Sequence, residues 1–307
     1  MPELPDIIVY LDALGSRVRG QVLKRLRVFS PFLLRTVEPP IEAAEGRVVV
    51  DLRRIGKRIV LCLDAGEQAT GEPLFLVIHL MIAGRLQWLK TGAKSPGRIA
   101  LAMFDFATGA LALTEAGSRK RASLHLVRGE AGLAAHDPGG LEVLEADPAA
   151  FRAALRRENH TLKRALTDPR LFSGIGNAYS DEILHAAKLS PLQWTSHLSD
   201  DEMDRLFAAV RGKLEYWIAE LRRQFSDRFP GPGEITAFRS GFAVHGRFGL
   251  PCPVCGTAVQ RIRHAANETN YCPGCQTDGR ILADRSLSRL LHEDWPRTVE
   301  ELGSDHR

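Results

Sequence analysis

No stretch of this sequence approaches the roughly 20 uninterrupted apolar residues of a membrane span, and the N-terminus lacks a basic run followed by an apolar segment. The expectation is a cytoplasmic protein with no membrane partner. Excess charge is also missing: 41 Lys and Arg against 37 Asp and Glu leave a net charge of +4, which permits an anionic partner such as nucleic acid without requiring one. Cysteine is scarce outside one window. Of five cysteines, four lie between Cys252 and Cys275, whereas Cys62 sits alone in an apolar strand-like run. That distribution argues against a disulfide framework and for metal binding in a reducing compartment, with Cys62 as core. There is no internal repeat and no low-complexity tract.

What is present is a chain of 307 residues, 44% of them hydrophobic, enough for two domains and a small appendage. Ile7, Ile8, Leu11, Leu14 and Val18 recur at helical spacing, which predicts a helix over Asp6–Arg19 with Asp6 as its cap and Gly20 as its stop. From Gln21 to Val127 the pattern turns to short apolar or alternating runs between Gly, Pro and charged turns, the signature of an antiparallel sandwich or barrel. Ala134–Ala149 carries the breakers of a linker. Helical periodicity follows around Phe151–Arg157, Leu162–Leu166, Ala178–Ala187 and Asp201–Arg223, and Phe225–Gly241 reads as a flexible loop. The fold class is thus α+β and multidomain, with boundaries expected at 1–135, 148–226, 240–277 and an extension over 278–307.

Cys252-Pro-Val-Cys255 and Cys272-Pro-Gly-Cys275 are two knuckles separated by sixteen residues, the spacing that wraps four thiolates around one zinc ion. Four sulfur ligands close the shell to water, so the metal is expected to be structural. Arg261 and Arg263 lie between the knuckles and suit a phosphate grip, although a solvated face fits them equally well. His264 beside them reads as a surface or phosphate contact.

At the other end, Met1-Pro2-Glu3-Leu4-Pro5 is unremarkable in composition. Removal of Met1 nevertheless exposes on Pro2 a secondary amine, and an α-amino group has an ordinary pKa of about 7.7–8.0, which leaves a neutral fraction near pH 7. Such an amine can attack a sugar C1′ and form an iminium, the electron sink needed to expel a base and then a 3′ phosphate. Glu3 is placed to act as general acid or base. Lys57 follows Gly56, which lets backbone approach a ligand, while the bland reading of Arg53–Arg58 is a solvated basic edge.

Taken together, MPELPD, the GKR segment with Lys57, HLMIAGRL (His79–Leu86), TLKRAL with Lys163, SGIGNAYSDEIL (Ser173–Leu184) and the four-cysteine finger resemble the bacterial formamidopyrimidine-DNA glycosylase and endonuclease VIII family, in order and in interval, up to about Thr277. The resemblance implies an N-terminal β-sandwich with a helix, a helix-two-turn-helix DNA-binding domain and a zinc finger. It implies a DNA repair enzyme, probing damaged DNA as a monomer, with Pro2 as Schiff-base nucleophile, Glu3 as acid, Lys57 on the lesion strand, and Lys163 and Asn177 as DNA contacts. Glycines at 174 and 176 would let backbone amides and a helix N-terminus approach a phosphate, and the damaged nucleotide would be extruded from the duplex.

Several departures bear on substrate. The residues that fill the vacated stack in purine-excising members match Ile82, Arg119 and Arg121 here, so a guanidinium replaces the usual aromatic. Asn267 stands where an arginine normally reaches the lesion phosphate, which puts δ-elimination in doubt. Asp6 replaces a glutamate, the loop around Arg228–Arg239 is short, and residues 278–307, with a helix expected over Ser286–Leu291, extend past the finger. Three readings follow: a glycosylase with AP lyase activity on oxidised bases, a catalytically impaired protein that binds damaged or abasic DNA, and an RNA- or protein-binding zinc ribbon. Intact Pro2 and Glu3 favour the first, because a pure binder has no use for a free N-terminal amine.

Overall fold

The computed structural model describes residues 1–65, 72–264, 267–284 and 296–304. The chain divides into two compact units, Met1–Pro138 with Trp217–Ala237 and Gly139–Tyr216 with Phe238–Arg307.

The first unit opens with helix α1 (Leu4–Val18), which buries Ile7, Tyr10, Leu14 and Val18 on one face. It starts two residues before the expected position. Glu3, not Asp6, is the N-cap, and the two form a reciprocal box: the Glu3 amide donates to Asp6 Oδ2 at 2.8 Å, and the Glu3 carboxylate accepts the Asp6 amide. Gly20, at φ +75°, turns the chain out of the helix as expected.

Among the described residues eight strands follow: β1 (Arg25–Val28), β2 (Val49–Ile55), β3 (Arg58–Leu63), β4 (Leu74–His79), β5 (Gly84–Leu89), β6 (Ala100–Asp105), β7 (Ala110–Glu115) and β8 (Ser123–Arg128). They form two separate antiparallel four-stranded sheets, ordered β1-β6-β7-β5 and β2-β3-β4-β8, a sandwich and not a barrel. Ile59, Leu61, Leu76, Ile78, Leu124 and Leu126 of one sheet meet Leu86, Phe104, Leu111 and Leu113 of the other in a single apolar core. The opposite face of the β2-β3-β4-β8 sheet is also covered, with Val60, Cys62, Phe75 and Val77 packed against Leu133 of a short helix, α2 (Gly129–Ala134). Burial on both faces explains why RIVLCL and LFLVIH read as continuous apolar runs instead of alternating ones. Cys62 is core, as expected, and burial pushes its thiol up to about 11.

In the second unit lie α3 (Pro148–Arg156, capped by Asp147), α4 (Leu162–Thr167) and α5 (Asn177–Ala187). The long α6 (Asp200–Gln224) passes from the second unit to the first at Trp217. The finger hairpin pairs β9 (Gln260–His264) with β10 (Asn267–Tyr271).

Two segments differ from expectation. The stretch after α2 is no free linker: Leu141 exchanges backbone bonds with Leu171 and Ser173, and Val143 is fully buried. Nor is 225–241 a flexible loop. Phe225 and Ile235 enter the sandwich core, and the Phe229 ring lies 5.8 Å from that of Tyr10. In both cases breaker residues set the backbone path while a few apolar side chains decide that the path is packed. Ser286–Leu291, expected to be helical, lies outside the described residues. The described part of the extension packs on the finger: Asp284 accepts the Arg263 amide at 2.6 Å, and Leu282 N donates to Tyr271 Oη at 2.7 Å. Among the described residues, no helix is long and apolar enough to cross a membrane.

Candidate active site and nucleic-acid interface

The register of the sandwich gathers the predicted residues of the first unit at one end. Ile55 pairs with Arg58, so Gly56 and Lys57 form a two-residue hairpin loop, and Arg58 pairs in turn with His79. Gly56 sits at φ +58°, so its role is to make the turn possible, and this is the local reason for the glycine. His79 pairs with Ser123, and Gly84 with Glu115, so the β4–β5 and β7–β8 connections emerge beside that loop. They carry Ile82 on one side and Arg119 and Arg121 on the other.

Each connection is held in shape. A Cβ on Gly84 would stand 2.3 Å from the Leu80 carbonyl oxygen, so only glycine closes this turn, while Met81 takes φ +52°. Arg85 binds the turn by donating to the carbonyls of Ile82 and Gly84 at 3.2 and 2.7 Å. Ile82 is left 53% exposed at the tip. In the other connection the buried Glu115 carboxylate accepts the amides of Arg121 and Ala122 at 2.8 and 3.1 Å, and Lys120 Nζ donates to the Glu115 carbonyl. Arg119 and Arg121 remain exposed.

The N-terminus belongs to the same neighbourhood. Pro2 and Glu3 are buried at the start of α1, which is fixed to β5 by the Leu86 amide donating to Tyr10 Oη at 3.3 Å. Burial holds the terminal amine of Met1 below its ordinary pKa; Glu3 and Asp6 oppose that shift, while Arg85 and Lys57 reinforce it. The amine therefore feels Glu3, Arg85, Asp6 and Lys57 together, and burial tips its balance toward the neutral form relative to a free terminus.

The second unit places its predicted residues in a buried polar network. Lys163 Nζ donates to the Asn177 carbonyl at 2.7 Å, to Ser180 Oγ at 2.8 Å and to Asp181 Oδ1 at 2.5 Å. An ammonium has three protons, and these three acceptors use them. Asp181 Oδ2 takes His245 Nδ1–H at 2.7 Å and the Asn270 amide at 3.1 Å. Glu182 accepts the amides of Ala243, Val244 and His245 at 2.8–2.9 Å. Asn177 Nδ2 donates to the Glu268 carbonyl at 2.9 Å, tying the first residue of α5 to the finger. Gly174, at φ +81°, makes the turn before that helix, and Gly176 is its N-cap.

In the finger, the Arg261 guanidinium lies 4.1 Å from the centre of the Phe248 ring and 3.5 Å from Glu268, while Arg263 and Asn267 are exposed. The four cysteine sulfurs converge: Cys255 lies 3.3 Å from Cys272 and 3.4 Å from Cys275, and Cys252 lies 3.9 Å from Cys275. A zinc ion bound by sulfurs at about 2.3 Å sets tetrahedral sulfur–sulfur edges of about 3.8 Å, so the donor set fits the ion.

Comparison with known proteins matches three stretches of the chain. Residues 1–124 match the model of the formamidopyrimidine-DNA glycosylase N-terminal domain, 139–224 that of the H2TH domain of the same glycosylase, and 249–277 that of a zinc finger found in FPG and IleRS. A formamidopyrimidine-DNA glycosylase of Heliobacterium modesticaldum is 32% identical over 284 residues, covering 90% of this chain and all of the relative. The chain belongs to the formamidopyrimidine-DNA glycosylase family.

The crystal structure of the MutM (FPG) protein from Thermus thermophilus, 29% identical, superposes with a TM-score of 0.71 over 90% of this chain and 98% of that one. A Lactococcus lactis FPG mutant, solved with DNA containing Fapy-dG, is 24% identical and shares the fold with a TM-score of 0.76 over 90% and 100% of the two chains. Sandwich, helix-two-turn-helix and finger are those expected, and the protein is an enzyme of a DNA glycosylase family with one structural zinc. Residues the sequence did not flag include Arg85, Glu115, Asp181, Glu182, His185, His245 and Asn270. The one available signal was Asp181-Glu182, two adjacent acids directly before the apolar pair Ile183-Leu184.

Proposed function

We propose that this chain is a bifunctional glycosylase and AP lyase of base-excision repair, acting on oxidised bases in DNA through a Schiff base at Pro2. One observation carries the reading: the buried N-terminus, with Glu3 beside it, shares one end of the sandwich with Lys57, Ile82, Arg119 and Arg121. Removal of Met1 moves the terminal amine one residue inward, onto Pro2.

In the reaction, the Pro2 nitrogen bonds to C1′ of the extruded nucleotide. The glycosidic bond breaks, and the base leaves with its electron pair and takes up the proton the amine sheds. Glu3 protonates the ring oxygen as the sugar opens to an iminium. The C2′ proton passes to the Glu3 carboxylate left by that step while the C–H electron pair flows into the iminium to give an enamine; that pair then expels the 3′ phosphate, and water hydrolyses the resulting unsaturated iminium to free Pro2. Lys57 holds the lesion-strand phosphate, Ile82 enters the vacated stack, and Arg119 and Arg121 face the orphan base. In the second unit Asn177, Arg261 and Arg263 are the phosphate contacts. Lys163, its three protons engaged, serves by holding the Asn177 turn instead of reaching DNA.

Borohydride trapping of Met-processed protein on an oligonucleotide with one abasic site tests the reading. The expected product is an adduct on the N-terminal peptide at Pro2. A protein that binds the oligonucleotide tightly and yields no adduct is instead the impaired binder, a reading that the exposed Asn267 and the arginine at position 121 favour.

A further inference from the structure

The imidazole of His185 reaches the metal site from outside the finger. His185 is the ninth residue of α5 and is 5% exposed; its Nε2 lies 3.3 Å from Cys252 Sγ. The imidazole nitrogen and the sulfurs of Cys252, Cys272 and Cys275 all fall within 4.8 Å of one another. We infer that His185 is a positioning residue of the zinc site, donating Nε2–H to the Cys252 thiolate and coupling the metal to the helix that begins at Asn177.

Three observations carry this. First, Cys255 lies within 3.4 Å of both Cys272 and Cys275 and Cys252 lies 3.9 Å from Cys275, so four sulfurs are at hand for one ion and the imidazole is a fifth donor with Cys252 as its partner. Second, four thiolates around Zn2+ carry a formal charge of −2, and Cys252 is itself buried, so its sulfur needs N–H donors; the Val254 amide at 3.4 Å is one and His185 the other. Third, His185 follows Asp181 by four residues and Glu182 by three, which puts all three on one face of α5. Asp181 holds His245 and Asn270, and Glu182 holds the amides of 243–245, so two buried carboxylates anchor the face of α5 that carries His185 to the segments flanking and within the finger. Gln276, beside the last ligand, extends the same seam by donating to the Leu189 carbonyl at 2.9 Å.

The test uses the zinc-loaded full chain and two variants, His185→Phe, which fills the volume without a donor, and His185→Gln, whose amide N–H reaches the Nε2 position. Zinc affinity is read by competition with 4-(2-pyridylazo)resorcinol, and the ligand set by the visible spectrum of cobalt-substituted protein. The expected result is an affinity about 10-fold weaker in His185→Phe, largely restored in His185→Gln, with four-thiolate cobalt bands in all three proteins. Wild-type affinity in His185→Phe overturns the inference, as does equal loss in both variants, which makes the contact packing alone. Cobalt bands that move when His185 is removed overturn it too, by making the imidazole a direct ligand.

Discussion

The two units differ in what their buried charges bind. In the first, an apolar core fixes the strands, the buried carboxylates of Glu3, Asp6 and Glu115 serve backbone amides of their own turns, and the proposed site residues Ile82, Arg119 and Arg121 stay exposed on turns at one end. In the second, charge is part of the interior. Lys163, Asp181, Glu182, His245 and Asn270 satisfy one another, and what they hold in place is the Asn177 turn and the finger. A turn on a sandwich can change its side chains at little cost in stability, so the wedge proposed for these turns can vary on an intact scaffold. A buried network has no such freedom, because each member removed leaves another uncompensated.

The largest effect separates chemistry from scaffold. Extending the N-terminus beyond Pro2 is expected to lower strand cleavage at an abasic site by at least ~10³-fold, the scale of losing a nucleophile, while gel-shift affinity for the same DNA stays near that of the processed protein. Next, Asp181→Ala strands Lys163 and His245 inside the second unit; the expected cost is about 3–5 kcal/mol by urea unfolding. If it costs no more than a surface substitution, the contrast between the units fails.

Acid sharpens the comparison from the other side. Burial, with Arg58 and Lys57 nearby, depresses His79 to about 4, and burial with His136, Arg58 and Arg35 depresses His125 to about 4. Both lie in the first unit. Their folded pKa values fall below the unfolded value of about 6.5, so between these limits the unfolded chain binds more protons, and stability must drop as pH falls from about 6.5 to about 4. A thermal unfolding series over that range is expected to show the decline, with His125→Gln flattening it. Smaller still, Lys57→Met should reduce the slope of log affinity for DNA against log salt by about 1, whereas Lys163→Met leaves the slope unchanged, because its protons go to protein acceptors. Last, Arg119→Ala and Arg121→Ala are expected to shift stability by less than about 0.5 kcal/mol and to be felt only in the preference for the base opposite the lesion.

Much of this was legible in the order of residues. Hydrophobic periodicity located α1, most of the strands and the helices of the second unit to within a few residues, because it records which face each element buries. The zinc knuckles needed only their spacing, and the nucleophile candidate only its place behind Met1. Periodicity carries no information about partners far apart in sequence, however. That Glu3 and not Asp6 caps α1, that Phe229 and Ile235 convert a breaker-rich segment into core, and that Lys163 is engaged by Asp181 are outcomes of three-dimensional packing. The sequence by itself determined the element types, the structural zinc and the family. Only the tertiary structure decided which charges face outward and which are neutralised inside, because a buried charge is stable only where the fold brings its partner to hydrogen-bond distance, and those partners lie up to 89 residues away.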